Sequence, residues 1–260
     1  MKIIGFTQLR NELSRGNLHN WLRCMSSCDV IYIIDQASDD GSQEVYKQYK
    51  NVVVIQNETN RFTEEMICKS ELFEKIKKVH SPDDWIYWLD GDLIMDGRML
   101  ADNGKKMREL LDVADKRGSD AILFGHYNLW RSDVWYRTDN SYHGLHGRWF
   151  VFWKNANYMW IPPRTGLHWG QAPDGIRSVI NCDAAVMHRG FSDGTSIVNK
   201  YLSYKKMGQK GWDLDRLIDE STLSVERVPD KIIPEWYSAS DNSDPRLKVK
   251  LIDLHKDIIP

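Results

Sequence analysis

The stretch Trp85-Ile86-Tyr87-Trp88-Leu89-Asp90-Gly91-Asp92 decides the fold assignment. Its apolar run predicts a buried strand, and two carboxylates one residue apart follow it directly. Residues two apart on a strand point the same way, so Asp90 and Asp92 are expected to crowd together unless a cation lies between them. Mg²⁺ or Mn²⁺ suits such oxygen ligands, commonly with substrate phosphates completing the shell. A solvated turn is the alternative for an isolated Asp-x-Asp, so the surrounding pattern has to decide.

Apolar β-type runs recur through the first half of the chain. They are Ile3 to Phe6, Val30 to Ile34, Val52 to Ile55, Trp85 to Leu89 and Ala121 to Phe124. Between them lie apolar residues at helical spacing: Leu18, Trp21, Leu22 and Met25; Met66, Phe73 and Ile76; and Leu100, Met107, Leu110, Leu111 and Ala114. Repeated strand-helix-strand units predict an α/β fold, with a mainly parallel sheet flanked by helices.

A polar cluster follows each of the first four predicted strands. The clusters are Thr7, Asp35, Asn57 to Arg61, and Asp90 with Asp92. Ligands of open α/β sheets bind at the carboxyl ends of the strands. These residues are therefore expected to share one site.

The second half of the chain changes character between Tyr127 and Asp174. This segment is aromatic and irregular, and it predicts short antiparallel strands and loops that hold a second substrate. Six tryptophans lie in it, at positions 130, 135, 149, 153, 160 and 169. Indole rings stack on sugars, but they also fill cores, so about half of this cluster is expected to be packing.

A single domain over residues 1–260 is predicted, because this length can bury one full core. We divide it into a first half, residues 1–125, an acceptor-side half, residues 126–225, and a C-terminal tail, residues 226–260. A strand from Ser178 to Met187 and a helix from Thr195 to Met207 are expected in the acceptor-side half.

Composition narrows the class of partner and the compartment. The formal net charge of −2 gives no bulk attraction to nucleic acid or anionic membrane. No apolar run is long enough to span a bilayer, and the first residues predict a strand rather than a secretory signal. The four cysteines lack zinc spacing and are expected to be reduced thiols of a cytoplasmic protein.

Three segments in this order resemble the family 2 glycosyltransferases with the GT-A fold. They are Arg10-Asn11-Glu12, then Ile34-Asp35-Gln36-Ala37-Ser38-Asp39-Asp40-Gly41-Ser42, then Leu89-Asp90-Gly91-Asp92. The resemblance covers roughly residues 1 to 100 and continues more weakly to His188-Arg189-Gly190-Phe191. It implies a GT-A, Rossmann-like fold and transfer of a sugar from a nucleotide-diphosphate sugar.

The resemblance also implies roles on the nucleotide side of the site. Asp35 would hydrogen-bond the base, which Thr7 approaches, and Arg61 would lie near the base or diphosphate. Asp90 would face the ribose or a metal-bound water. Simpler alternatives are a helix cap for Asp35 and a solvated surface position for Arg61.

On the phosphate side, the resemblance makes Asp92 a ligand of the metal that bridges the diphosphate. His188 would supply a second metal ligand or a diphosphate contact, and a neutral imidazole suits Mn²⁺. Arg189 would pair with phosphate as the leaving group gains charge. His188 could instead be a satisfied core histidine.

Two departures from the family pattern stand out. Gln36 replaces a usual second Asp, and no Glu-Asp pair marks the catalytic base. An inverting transferase needs a group that takes the acceptor proton. Asp174 in Pro-Asp-Gly is the first choice, and a turn is the alternative role there. Asp183, Asp133 and His168 are the other candidates.

The resulting hypothesis is a glycosyltransferase that uses Mn²⁺ or Mg²⁺ and a UDP- or GDP-sugar, with inversion. Its acceptor would be a glycan, a lipid-linked molecule or another compound. One rival is a haloacid dehalogenase-like phosphohydrolase, but there the Asp-x-Asp normally opens the chain. Another is a non-enzymatic carbohydrate-binding protein, which has no need for Asp35 and Asp92 on neighbouring strand ends.

Overall fold

The computed structural model describes residues 1–61, 64–139, 148–156, 158, 172–206, 208, 212–215 and 217–254. The strands are β1 (Ile3–Leu9), β2 (Val30–Asp35), β3 (Val52–Gln56), β4 (Trp85–Trp88), β5 (Leu93–Met95), β6 (Ala121–Asn128), β7 (Trp135–Arg137), β8 (Arg148–Lys154), β9 (Val179–His188) and β10 (Val225–Arg227). The helices are α1 (Leu18–Cys24), α2 (Ser42–Tyr46), α3 (Glu65–Val79), α4 (Gly97–Lys116), α5 (Gly194–Lys206), α6 (Trp212–Asp215) and α7 (Leu251–Leu254). The predicted α/β class is confirmed.

Eight of the strands form one mixed sheet in the order β3-β2-β1-β4-β8-β6-β9-β5. β1 pairs in parallel with both β2 and β4, and β2 pairs in parallel with β3. β8 runs antiparallel to β4, and β5 runs antiparallel to β9. The carboxyl ends of the first four strands in this order therefore lie along one edge, where ligands of α/β sheets bind.

The structure corrects two details of the predicted site. Thr7 does not follow the first strand: β1 continues to Leu9, which pairs with Asp35 at the end of β2. Asp90 and Asp92 follow β4 in its connection to β5 rather than on a strand. The predicted alignment of these two side chains by strand alternation is therefore wrong. The charge of Asp92 nevertheless acts on Asp90 and raises its pKa.

Helix α4 is interrupted where the sequence pattern predicted a continuous stripe. Ala101 is extended, and Asp102, Asn103 and Gly104 have positive φ angles of 52°, 55° and 75°. Asp, Asn and Gly are the residues that adopt this left-handed conformation most readily. The run Asp-Asn-Gly thus carried a signal for the break that apolar spacing alone could not show.

The chain divides into two compact units that are not continuous in sequence. The first comprises Met1–Asp92, Arg98–Phe124 and Arg148–Ala184. The second comprises Leu93–Gly97, Gly125–Gly147 and Ala185–Pro260. The predicted halves and tail remain a prediction.

The first unit has a core between its sheet and α3. Phe6, Phe73 and Trp153 are buried in it, and Phe6 meets both other rings edge-on at centroid distances of 6.5 Å and 6.0 Å. Trp153 is therefore packing material, as is the fully buried Trp130 of the second unit. Trp160 and Trp169 lie outside the described residues.

The second unit is organised around a buried ion pair. Arg131 and Glu220 pair at 2.9 Å, with side chains that are 6% and 2% exposed. Trp130 Nε1 donates to the same carboxylate, as does the backbone N–H of Leu251. A second Arg131 nitrogen donates to the Val249 carbonyl. Buried charges are tolerated only when paired and hydrogen-bonded in this way.

No helix in the described ranges has both the length and the apolar composition to cross a bilayer.

Phe73→Ala should lower the free energy of unfolding by about 3–5 kcal/mol, because it removes a buried ring and leaves a cavity. Ile67 on the same helix is 42% exposed, so Ile67→Ala is the matched control and should change stability by less than about 1 kcal/mol. Urea denaturation with an unchanged m-value measures both. Equal effects of the two substitutions would contradict the assigned core face of α3.

Candidate functional site

The loops that follow β1 and β2 are tied together by polar bonds. Asn11 Nδ2 donates to Asp39 Oδ1 at 2.8 Å, and Asn11 Oδ1 accepts from the backbone N–H of Asp39 at 3.0 Å. The backbone N–H of Ser14 donates to Asp40. Asn11 adopts a positive φ of 55°, which Asn tolerates better than most residues. These bonds fix the two strand ends relative to each other.

Asp35, the last residue of β2, is fully buried at this edge. Its Oδ1 accepts from the backbone N–H of Ser38 at 2.8 Å and from Gln56 Nε2 at 2.9 Å. Its Oδ2 is also buried and accepts no hydrogen bond from the described residues. A buried oxygen without a hydrogen bond costs roughly 1–3 kcal/mol. A donor that reached Asp35 Oδ2 would recover that free energy. A helix cap does not explain it, because α2 begins only at Ser42.

Gln36 makes contacts at this edge that an ionised Asp could not make. Its Nε2 donates to Gln8 Oε1 at 3.2 Å, while its Oε1 accepts from Asn57 Nδ2 and from the backbone N–H of Arg61, both at 2.9 Å. A carboxylate cannot donate. The amide thus joins the ends of β1, β2 and β3, and it is only 2% exposed.

Glu12 is a site residue to which the sequence analysis gave no role. It is 6% exposed and accepts from Arg15 Nη1 and Asn17 Nδ2, both at 2.8 Å. A Cβ on Gly91 would lie 2.8 Å from Glu12 Cγ and 2.8 Å from Leu9 Cδ2. Gly91 is therefore required because Glu12 and Leu9 pack against its backbone. The Arg10-Asn11-Glu12 motif contained the residue, but nothing in its spacing pointed to Gly91.

Negative charge is concentrated beside Gly91. The pKa of Glu12 is raised by burial and then by the charge of Asp92, with Arg15 and Asn17 opposing the shift. Burial also raises the pKa of Asp90, and the charges of Glu65 and Asp92 add to that effect. Burial is thus the larger cause of both shifts, and repulsion from the charge of Asp92 adds to each of them.

Lys69 is a second residue that the sequence analysis missed. It lies on α3 with a side chain only 3% exposed and pairs with Glu65 at 2.5 Å. Its ammonium is 4.1 Å from the ring centroid of Trp88, and its charge lowers the pKa of Asp90. The spacing of four residues between Glu65 and Lys69 predicts an ion pair on one face of a helix. Such pairs are ordinarily exposed to solvent. The charge of Lys69 does not outweigh burial, so the pKa of Asp90 stays raised.

The donor set beside Gly91 fits a hard divalent cation. Carboxylate oxygens of Asp92 and Asp90 are the ligand type that Mg²⁺ and Mn²⁺ prefer, and the pKa of Asp90 shows that these charges repel each other. No group of three or more His, Cys, Asp or Glu side chains in the described part of the chain is arranged to hold a metal by itself. One or two protein carboxylates with substrate phosphates is the usual arrangement for Mg²⁺.

His188 ends β9 in the second unit, where Asn128 orients its ring. His188 Nδ1 lies 2.8 Å from Asn128 Oδ1. An amide oxygen only accepts, so His188 Nδ1 is the donor in this bond. Metal-binding histidines are commonly oriented by such a bond. The His126 ring lies beside it, with centroids 5.4 Å apart.

Arg189 is held by Asp133 in the second unit. Its Nε and Nη2 lie 3.4 Å and 3.3 Å from Asp133 Oδ1. Asp133 also accepts from Ser240 Oγ at 2.6 Å and from the backbone N–H groups of Ser240 and Asp241. The side-chain hydrogen bond from Ser240, followed by the charge of Arg189, outweighs burial and lowers the pKa of Asp133. Both of its oxygens are committed, so we no longer expect Asp133 to be the base.

The other base candidates stay predictions. Asp174 is exposed and directly precedes Gly175, whose φ of 102° fits the turn that Pro-Asp-Gly predicts. Asp183 has a side chain that is 84% exposed and pairs with Arg98 at 3.2 Å. His168 lies outside the described residues.

The remaining two predicted site residues belong to the first unit. Thr7 is 1% exposed within β1. Arg61 has a side chain that is 31% exposed and pairs with Glu64 at 2.7 Å and Glu71 at 3.2 Å. A diphosphate would have to compete with these two carboxylates for Arg61.

No model of a known protein family and no curated protein sequence matches the chain. Among solved structures, TarS from S. aureus aligns over 83% of this chain and 41% of its own, with a TM-score of 0.45 and 11% identity. 4-Diphosphocytidyl-2C-methyl-D-erythritol synthase aligns over 94% of both chains, with a TM-score of 0.36 and 10% identity. The chain thus spans less than half the length of TarS. Similarity at this level says nothing about activity, so the function has to come from the side chains.

Asp92→Asn should stabilise the metal-free protein at pH 7 by about 0.5–1.5 kcal/mol, because it removes a charge that raises two neighbouring pKa values. Groups with raised pKa values favour folding below their unfolded pKa, and this contribution is lost as pH rises through the folded pKa. The gain from Asp92→Asn should therefore be absent below about pH 4 and should grow as pH rises. Denaturation curves across pH measure it.

Asp183→Asn is the matched control, since this carboxylate is largely exposed and should change stability by less than about 0.5 kcal/mol. A loss of stability in Asp92→Asn at pH 7 would mean that Asp92 has a structural role instead.

Proposed function

We propose that the protein transfers a sugar from a nucleotide-diphosphate sugar to an acceptor, using a divalent cation held at Asp92. The observation that carries this proposal is the group of acidic side chains beside Gly91, where burial and the charge of Asp92 raise the pKa values of Glu12 and Asp90. A divalent cation would supply positive charge there, and the diphosphate would complete its ligand shell. Asp35 supports the proposal from the adjacent strand end, because its buried Oδ2 lacks a donor.

Asp35 would accept a hydrogen bond from the nucleotide base through Oδ2. Because Asp35 is fully buried, the surrounding side chains must move before the base can reach it. Asp90 would face the ribose or a metal-bound water. Thr7 would support the base-binding strand from within β1 rather than touch the base, since it is buried there.

Asp92 would hold Mn²⁺ or Mg²⁺, which neutralises charge on the departing diphosphate when bound. His188 would supply a further metal or diphosphate contact, and its hydrogen bond with Asn128 supports this by orienting the ring. Arg189 and Arg61 would add positive charge at the phosphates. Each is paired with carboxylates, so phosphate binding would exchange one anionic partner for another.

The proposed reaction proceeds with inversion, and a base takes the proton of the acceptor hydroxyl as the diphosphate leaves. Asp174 is the proposed base, with His168 as the alternative. The exposure of Asp174 is compatible with an incoming acceptor.

A thermal-shift panel of UDP-, GDP-, CDP- and dTDP-sugars, with and without Mn²⁺, tests the proposal. A UDP- or GDP-sugar should stabilise the fold most, and Mn²⁺ should increase the effect, because ligands that bind only the folded state stabilise it. Asp92→Ala should abolish the metal-dependent part. Stabilisation that survives this substitution unchanged would refute the assignment of Asp92.

The rival functions give different results in the same study. A phosphohydrolase of the haloacid dehalogenase type would form an acid-stable phosphoryl-enzyme at Asp90 and ignore nucleotide sugars. A carbohydrate-binding protein would bind glycans equally well without metal or nucleotide. Either result would replace the glycosyltransferase proposal.

Asp35→Asn should remove discrimination between nucleotide bases while leaving Mn²⁺-pyrophosphate binding unchanged. Asparagine keeps the Oδ1 acceptor for Ser38 and Gln56 but presents a donor where the base requires an acceptor. We expect about a tenfold or greater loss of affinity for the preferred nucleotide, measured by calorimetry. Asp39→Asn, at an exposed position in the same loop, is the control; equal losses would argue against a base contact.

A further inference from the structure

Lys69 places a positive charge inside the first unit, close to the acidic side chains beside Gly91. It lies on α3, and its side chain is only 3% exposed. Its ammonium is 4.1 Å from the ring centroid of Trp88, and Trp88 Nε1 donates to Asp90 Oδ1 at 3.0 Å. One indole ring therefore separates the ammonium from this carboxylate. Salt screens buried charges much less than it screens exposed ones.

The ion pair of Lys69 with Glu65 has its positive end toward Asp90. The two groups pair at 2.5 Å, so their charges largely cancel at long range. Burial is the main cause of the raised pKa of Asp90, but Lys69 opposes that shift by more than Glu65 adds to it. Because Coulomb energy falls with distance, the ammonium is the nearer of the two charges to Asp90. A ligand bound beside Asp90 would therefore interact more strongly with the ammonium than with Glu65.

We propose that the buried charge of Lys69 makes the site at Asp92 favour a metal–diphosphate complex over the bare metal ion. The carboxylates attract a lone divalent cation, but the ammonium repels it. A diphosphate that carries the same cation is an anion overall, and the ammonium attracts it. Lys69 acts through its charge and does not have to touch either ligand.

The consequence concerns the order of binding. The cation and the nucleotide-diphosphate sugar would enter the acidic site as one complex, and a free cation would not occupy it ahead of the donor. Carboxylates without the lysine would favour the bare ion instead. The inference rests on the proposed function, because it takes the divalent cation at Asp92 from there.

Two substitutions that each remove one charge test the sign of this effect. Lys69→Gln keeps a donor for Glu65, and Glu65→Gln keeps an acceptor for Lys69. Calorimetry at pH 8, well above the ordinary pKa of a carboxyl group, measures the affinities for Mn²⁺ alone and for Mn²⁺-pyrophosphate. Lys69→Gln should bind Mn²⁺ about threefold to tenfold more tightly and Mn²⁺-pyrophosphate more weakly by a similar factor. Glu65→Gln should shift each affinity the other way.

Lys77 and Glu74 provide the matched control on the same helix. They pair at 2.5 Å, and the Lys77 ammonium lies 5.1 Å from the ring centroid of Phe73, so this pair repeats the local contacts of Lys69. Phe73 has no polar group that could reach a carboxylate, and the eight residues from Lys69 to Lys77 span about 12 Å of helix. Lys77→Gln and Glu74→Gln should therefore leave both affinities unchanged.

The direction of the two shifts decides the outcome. A general loosening of the site would weaken both ligands, so shifts of Lys69→Gln in the same direction, or no shift, would overturn the inference. If circular dichroism shows that Lys69→Gln does not fold, Glu65→Gln decides by the same criterion. Asp92→Ala separates the two proposals. If it loses both ligands while the charge variants fail, only the inference falls; if it binds both ligands as wild type does, the metal site and the inference fall together.

Discussion

The burial of carboxylates beside Gly91 is the constraint on which the rest of the site depends. Glu12 packs against the Gly91 backbone, and burial, with the charge of Asp92 adding to it, raises the pKa values of both Glu12 and Asp90. Lys69 offsets part of this charge from α3, with Trp88 covering its ammonium. Under the proposed function, a bound cation would offset the cost of keeping these carboxylates together. The other polar contacts at this edge of the sheet hold the acidic cluster in place.

Positioning comes from polar bonds that join consecutive strand ends. Gln36 connects the ends of three strands through one amide, and Asn11 locks the loop after β1 to the loop after β2. Asp35 stands between them with one satisfied and one unsatisfied oxygen. Under the proposed function, these contacts would hold Asp35 rigidly while its Oδ2 waits for a donor from the nucleotide base. The binding energy would then depend on whether the base supplies that donor.

The sequence predicted the strand–helix alternation and the edge of the sheet, since both follow from apolar periodicity. It misjudged the end of β1, because Thr7 is polar yet lies in a buried strand with partners on both sides. It missed Glu12 and Lys69, because packing against Gly91 and Trp88 is a tertiary contact that leaves no local spacing. It also could not show that Asp133 is saturated, since its donors lie more than a hundred residues away. The two compact units are each built from separated segments of the chain, and the tertiary contacts that define them leave no local sequence pattern either.

The buried pair of Arg131 and Glu220 gives the end of the chain an unexpected importance. The backbone of Val249 and Leu251 completes the hydrogen bonding of these two charges. A truncation before Val249 would remove one hydrogen-bond partner from each of these buried charges and would uncover the apolar cluster that Leu251 belongs to. Such a shortened version should be recovered as insoluble material, so affinity tags belong after the last helix rather than in place of it.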